Sequence, residues 1–436
     1  MRTTRHVCAS VLAAVLALGP SSASAQETPQ ALRQEIDQLR KDFDALKQAY
    51  GDRLTALETK LAAAGGAPPA ATPAPAPQPP PVAQVPPGAE GAGGPSGAPP
   101  VYGSSVAGSK VFNPDMAVIG DFLGAAGRNL VNPTPSLEMH ESELSLQAVV
   151  DPYARADFFV SFGEEGVNLE EGFITLTELP GGLLTKVGKM RAAFGKVNTL
   201  HNHLLPWTDR PLVTRNLVGG EDGIDDAGIS VARLIPNPWL FLEATGQVFR
   251  GDSGDLFKAG TRSDLSYVGH LRGYQDISES SNIDLGFSYA HGHNDAGLAV
   301  PDASDTFKTQ LYGIDATFRW KPLRRSVYRS FIGRSEWVWS RRDQPDGLQR
   351  SNGFYLSGDY QVGRRWFTGV RYDRSERATD ATLLDNGASF ILTYWPSEFS
   401  QVRTQYRRTN YALASSANEL LFQFQFSIGA HGAHPF

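Results

Sequence analysis

Three histidine pairs draw attention first: His201 with His203, His291 with His293, and His431 with His434. In an extended segment, H-x-H turns both imidazoles to one side, which suits a zinc or copper ion. His201, His203, His291 and His293 are expected toward the same ends of their segments and could share an ion, although an ordinary loop or interfacial role explains the same residues. The stretch "GEDGIDD", Gly220 to Asp226, crowds four carboxylates that would suit a hard cation or simply end a solvated loop. "GDSGD" at Gly251 to Asp255 resembles a serine nucleophile sequence, and "RGD" at Arg250 to Asp252 an adhesion ligand. A short string without a base and an oxyanion hole is not a catalytic site. The chain shows no P-loop, no H-E-x-x-H and no glycine-rich dinucleotide turn opening a helix. Enzymatic activity and a bound cofactor are therefore not expected.

Whatever these residues do depends on the elements that carry them. The N-terminus places Arg2 and Arg5 before a short apolar run and Ala23-Ser24-Ala25 before Gln26. This order predicts a secretory signal over residues 1–25. The one cysteine, Cys8, leaves with it, so neither disulfides nor thiol chemistry are expected of the exported chain. Losing Arg2 and Arg5 takes the formal charge from -6 to -8, which argues against a nucleic-acid partner.

Residues 26–61 contain Leu32, Ile36, Leu39, Phe43, Leu46 and Tyr50 at steps of four and three, then Leu54, Leu57 and Leu61. The spacing predicts a short α-helical coiled coil with a stutter near Gly51. Residues 62–110 form a Pro/Ala/Gly-rich tract almost free of charge, which cannot bury a core and reads as an extended spacer.

From residue 111 to 436 the chain changes to short alternating segments divided by turn residues. Sixteen can be read, with brief connections such as Pro180-Gly181-Gly182, Lys321-Pro322 and Pro396-Ser397 alternating with longer ones over 124–135, 194–223, 342–351 and 411–417. This predicts an all-β fold, a 16-stranded antiparallel transmembrane barrel with short turns at one rim. An even strand count puts both ends of the barrel at that rim, where the coil and linker must lie.

A soluble sandwich also alternates, so two further features decide between the readings. Trp239, Trp320, Trp366 and Trp395 adjoin expected short turns, and Trp337 and Trp339 are placed near the outer end of their strand, as an interfacial girdle requires. The faces opposite the apolar ones carry charge: Arg155, Asp157, Asp315, Arg319, Arg371, Asp373, Arg403 and Arg407. Charged inward faces need water, which predicts an aqueous lumen lined by these residues. The last strand places Leu420, Phe422, Phe424, Phe426 and Ile428 toward lipid, and Phe436 reads as an insertion tag.

The barrel segment resembles the porins grouped with the phosphate-selective porins O and P, through "FNPDMAVIGDF", "VGKMRAAFGKVN", "HNHLLPWTDRPLV" and the ending "SIGAHGAHPF". The resemblance implies a sixteen-stranded, usually trimeric barrel in the outer membrane with a loop folded into the lumen. The lysine ladder of the phosphate-selective members is missing; inward charges here are mixed in sign.

The connection Phe194 to Gly223 is the longest and least polar, carrying Leu200, Leu204, Leu205, Trp207, Leu212, Val213, Leu217 and Val218. Such a loop would leave water, by folding inward, latching a neighbouring subunit or packing on the surface. Folded inward, Lys196, Arg210 and Arg215 would face Glu221, Asp222 and lumen acids across a constriction. The expected function is passive diffusion of small hydrophilic solutes, with outer-membrane lipid, lipopolysaccharide and two further copies of the chain as partners and a peptidoglycan contact open to the coil. A receptor or adhesion barrel without an open pore is the alternative.

Overall fold

The computed structural model describes residues 114–163, 166–296, 307–412 and 415–429. The expected signal, coiled coil and linker, His431, His434 and the terminal Phe436 lie outside the described residues.

Sixteen strands follow in sequence order: β1 (Asp115–Arg128), β2 (Leu137–Asp151), β3 (Ala154–Gly163), β4 (Gly166–Leu179), β5 (Leu183–Arg191), β6 (Asp225–Leu234), β7 (Phe241–Phe249) and β8 (Ser266–Ser278). The second half comprises β9 (Ser281–Asn294), β10 (Phe307–Trp320), β11 (Phe331–Gln344), β12 (Gly347–Gly363), β13 (Trp366–Glu376), β14 (Leu384–Ser397), β15 (Ser400–Tyr411) and β16 (Ser415–Gly429). Each is antiparallel to its neighbours, and β1 pairs with β16, so the sheet closes and leaves no edge. The sixteen-stranded all-β barrel expected from the alternation is the one observed.

Side-chain parity separates two faces. On β10, Thr309, Leu311, Asp315 and Thr317 are buried, whereas Ile314 and Phe318 point outward and are exposed. Val370, Phe390, Tyr406 and Leu420 continue the outward apolar band on β13 to β16. A barrel with greasy exposed residues outside and buried charge inside inverts the soluble pattern, and matches one that meets lipid with its outer face.

At the closure, Phe422, Phe424 and Phe426 on β16 lie opposite Gly124, Phe122 and Gly120 on β1. A Cβ on Gly120 would run into the Phe426 ring, so glycine there makes room for the aromatic face. The β4–β5 hairpin uses Gly181 and Gly182 at φ +81° and +67°, the left-handed pair that a tight primed turn demands.

Three details differ from the sequence-based expectation. The β10–β11 connection runs over 321–330 as successive turns closed by Arg325 N–H to Pro322 O and Tyr328 N–H to Arg325 O, rather than ending at Lys321-Pro322. Conversely, β11 and β12 continue pairing through Arg341 with Arg350 to Gln344 with Gly347, so the long loop expected over 342–351 shrinks to residues 345–346. Backbone ladders need no apolar side chains, and a polar strand end therefore reads as loop in sequence. Trp337, the seventh residue of the fourteen in β11, sits mid-strand and not at its outer end.

Two β-bulges alter parity where it matters. On β2 the register slips between Asp121–Glu141 and Phe122–Met139, and on β4 between Phe159–Glu171 and Val160–Leu169. The extra residues are His140 and Glu170. A bulge lets two consecutive side chains share a side, and Glu170 and Glu171 both turn toward the barrel interior.

Candidate functional site

The connection between β5 and β6 lies inside the barrel, and the lumen supplies the partners its backbone needs. Ala193 N–H donates to Gln247 Oε1 at 2.7 Å, Gly195 N–H to Ser288 Oγ at 2.9 Å, and Lys196 and Val197 N–H both to Glu336 Oε1 at 2.7 Å. Farther along, Thr208 N–H donates to Gln405 Oε1 at 3.0 Å and Leu212 N–H to Asp373 Oδ1 at 3.2 Å. Irregular backbone removed from water must find such acceptors or lose roughly 1–3 kcal/mol per orphaned group. Asn198 closes the neck of the loop by donating to Ala192 O and Ile224 O and accepting from Ile224 N–H.

The apolar residues of the loop explain why it enters. A short helix α1 (Leu212–Leu217) packs on β11 to β14. Val213, Leu217, Trp207 and Phe194 join inward-facing Leu311, Val338, Tyr355 and Ile391 in one buried cluster. The inward face is thus not uniformly polar: the far wall presents an apolar bed to the loop. Trp207 meets Tyr355 edge-on at 5.1 Å between centroids, while the Arg371 guanidinium lies 4.8 Å over the indole.

Charge fixes what apolar contact brings together. Asp209, on the loop, accepts from Arg371 Nη2 and from Arg407 Nη1 at 2.7 Å. Burial would raise its pKa, but the two guanidiniums outweigh burial and hold the carboxyl well below the usual aspartate range. Arg371 also bonds Asp373, Arg407 bonds Glu419, and Arg403 donates to Trp207 O and Gln423 Oε1. Lys196 reaches Asp284 at 2.6 Å, beside Arg272; Arg319 stands 3.9 Å from the same carboxylate.

The residues anticipated to line the lumen stand on the inward face, but many of them bind the loop. Arg155 and Asp157 pair at 2.7 Å on the wall below it, and Asp315 is buried near Lys196 and Asp284. Arg210 shares a cavity with Glu221 and Asp222, but its hydrogen bonds go to Val197 O, Leu200 O and Asn202 Oδ1, folding the loop onto itself. Glu221 instead meets His140 at 3.2 Å, and Asp222 offers its carbonyl to Arg191. Arg215 faces an open cavity.

On the opposite wall, the loop tip meets an acidic patch from β2 and β4. His201 Nδ1 lies 2.5 Å from Glu143 Oε2 and 3.1 Å from Glu170 Oε2, and its Nε2 lies 2.8 Å from Glu171 Oε2. Burial opposes its charge, yet the hydrogen bonds to these three carboxylates prevail and raise the imidazole to about 11. His203 sits beside it, 3.7 Å from both Glu141 and Glu143. His291 and His293 do not join them. They alternate with buried Asp284, Ser288 and Asn294 on β9 and so take the outward face. Strand alternation, by fixing opposite faces, overturns the idea of an ion shared by all four histidines.

Two cavities flank this contact. The larger, about 730 Å³, lies toward the loop-bearing rim and is bounded by residues that include Asp121, Glu138, Arg215 and Arg407. The smaller, about 550 Å³, lies toward the rim of the short β2–β3 and β4–β5 turns, beside Arg155, Asp157, Lys186 and His201. No chemical motif in the sequence marks Glu336, Asp209 or Glu170. The Glu170-Glu171 doublet, which breaks alternation, is the available signal for a bulge; Asp209 and Glu336 carry none, since Asp209 matters through Arg371 and Arg407, and Glu336 through the Lys196 and Val197 amides, all distant in the chain.

No family model matches the chain. A protein of Aquifex aeolicus (strain VF5), described only as uncharacterized, is 28% identical over 393 residues, spanning 77% of this chain and 82% of its own. Among solved structures, Pseudomonas putida OprB at high pH superposes with a TM-score of 0.50 at 11% identity, over 73% of this chain and 95% of that one. The outer membrane channel DcaP of Acinetobacter baumannii gives 0.47 at 12% identity, over 72% and 96%. The likeness to OprB is one of fold: a porin-like β-barrel.

Proposed function

We propose that this chain is an outer-membrane porin that passes small hydrophilic solutes or ions by diffusion, with the 192–224 loop narrowing the path. One observation carries the reading: two water-accessible cavities with charged linings lie inside the closed barrel, on either side of the loop tip. The outward apolar band supports residence in a membrane, and a barrel suits the outer membrane because its strands leave no backbone group unpaired.

The lining also suggests a preference. Seven carboxylates (Asp121, Glu138, Glu141, Glu170, Asp209, Glu221 and Asp222) and three arginines (Arg210, Arg215 and Arg407) border the larger cavity, so it favours cations over phosphate-like anions. In this reading the expected signal over 1–25 is the route of export, and the expected periplasmic coil over 26–61 serves homotrimer assembly or a peptidoglycan contact. Single-channel recording in planar bilayers tests the reading: discrete conductance steps are expected from the folded, heat-modifiable protein. Complete absence of conductance from such material rejects the porin.

A second reading draws on the buried apolar core of the loop. Because Val213 and Leu217 have no exposed surface, the loop fills part of the lumen as a packed body, which suits a receptor barrel that opens only with a ligand. Conductance appearing only after loop removal would favour it.

A further inference from the structure

The contact between the loop tip and the β2–β4 wall contains more ligating chemistry than a salt bridge needs. The candidate ligand atoms of Glu143, His201 and His203 all lie within 4.8 Å of one another, and those of Glu141, Glu143 and Glu170 form a second such group. Glu143 belongs to both.

The hydrogen bonds leave a gap at the centre. His203 Nδ1 is buried without a hydrogen-bond partner, as is Glu141 Oε1, although the two side chains are only 5% and 6% exposed. They face each other at 3.7 Å, and Glu143 Oε2 lies at the same distance from His203 Nδ1. That separation is too long for a hydrogen bond. It is close to the roughly 3.4 Å between two donors on a tetrahedral zinc with bonds of about 2.1 Å. An unpartnered buried imidazole nitrogen between two carboxylates costs free energy unless something bridges them.

Supporting groups are already oriented. His201 Nε2 bonds Glu171 at 2.8 Å, the carboxylate–imidazole arrangement that steers a ligating histidine. Its Nδ1 points at Glu143 and Glu170 and shares a proton with them, so an ion binds there by displacing that proton and widening the 2.5 Å contact with Glu143. Phe159 packs 5.0 Å from the His201 ring and limits its rotation. Four carboxylates gather here, and Arg191, paired with Glu170 at 3.1 Å, and the charged His201 offset only two of them. The local field therefore attracts a cation.

We propose that Glu143, His201 and His203 bind a divalent first-row transition ion of the zinc class, with Glu141 available as a fourth ligand. Two imidazoles with carboxylate oxygen favour zinc, cobalt or nickel over calcium or magnesium, which prefer all-oxygen shells. The ion ties the loop to the wall: Glu143 belongs to β2, and both histidines belong to the loop. It also sits between the two cavities, so a bound ion bears directly on passage between them.

The test uses the untagged, folded exported chain in detergent, stripped by chelator and titrated with Zn²⁺ by calorimetry and with Co²⁺ by visible absorption. One saturable site and a Co²⁺ spectrum of nitrogen and oxygen ligation are expected. Glu143→Gln and His203→Ala, each checked for heat-modifiable mobility, should weaken binding at least about tenfold, and Glu171→Gln about 10- to 100-fold. A variant lacking His291, His293, His431 and His434 should keep both signals. No saturable binding of either ion by the wild type, or loss of both signals in that four-histidine variant, overturns the proposal. So does unchanged affinity in folded Glu143→Gln and His203→Ala; if neither folds, the four-histidine variant decides alone.

Discussion

Arg371 on β13 reaches both carboxylate oxygens of Asp209 on the inserted loop, Nη2 lying 3.0 Å from each. The pair is the electrostatic latch between a segment with no regular ladder and a wall with a complete one. Asp209→Asn removes the charge and leaves Arg371 and Arg407 facing a neutral amide. Trypsin should then cut within the loop at Arg215 at least about tenfold faster, while the barrel keeps its heat-modifiable mobility; equal cleavage rates would show that the latch is dispensable.

The same latch has a predictable pH response. The folded-state pKa of Asp209 is depressed, so its contribution is fully present above the ordinary aspartate value of 3.8 and is lost as pH falls through the lower folded value. Protease resistance of the loop should therefore stay flat from about pH 8 to about pH 5 and fail only in stronger acid. A midpoint near neutrality would mean that another group controls docking.

Trp207 anchors the apolar half of the contact, with 1% of its surface exposed. Trp207→Ala should reduce loop docking by about 3–5 kcal/mol, the usual cost of deleting a buried aromatic. Hydrogen exchange would register this as lost protection in residues 192–224, with strand amides unchanged. Single-channel conductance should rise in parallel.

Val370 lies near the middle of β13 and is 58% exposed on the outward face. Val370→Arg should destabilise the barrel in lipid vesicles by about 2–4 kcal/mol, as expected for a cation at the bilayer midplane. Denaturant titration measures it. A change below about 0.5 kcal/mol would contradict lipid contact there.

Selectivity follows from the acidic lining of the larger cavity. In a KCl gradient the reversal potential should give a potassium-to-chloride permeability ratio above one, and Arg215→Glu should raise it further. A ratio below one would assign control of selectivity to the Arg371, Arg403 and Arg407 wall instead.

Much of this architecture can be read in the sequence because strand parity is a local property. Ile314 and Phe318 alternate with Asp315 and Thr317 in the chain, and the sheet can only send them to opposite faces. The number of strands, the outward phenylalanines of β16 and the unusual greasiness of the 194–223 connection follow from the same short-range pattern. What parity alone could not give is any position where one residue resets it. The bulges at His140 and Glu170 shift alternation by a single step, and only the pairing of neighbouring strands decides that.

The loop's docking belongs wholly to tertiary structure. Asp209 and Arg371 are 162 positions apart, and nothing near either one announces the other. His201 and His203 advertise a pair in the sequence, but their company does not: the fold assigns them Glu143 and Glu141, and turns His291 and His293 outward. Local periodicity determines which face a side chain takes. Closure of the barrel and burial of the loop decide what it meets there, because they bring distant charges into a space with little water, where each must find a partner.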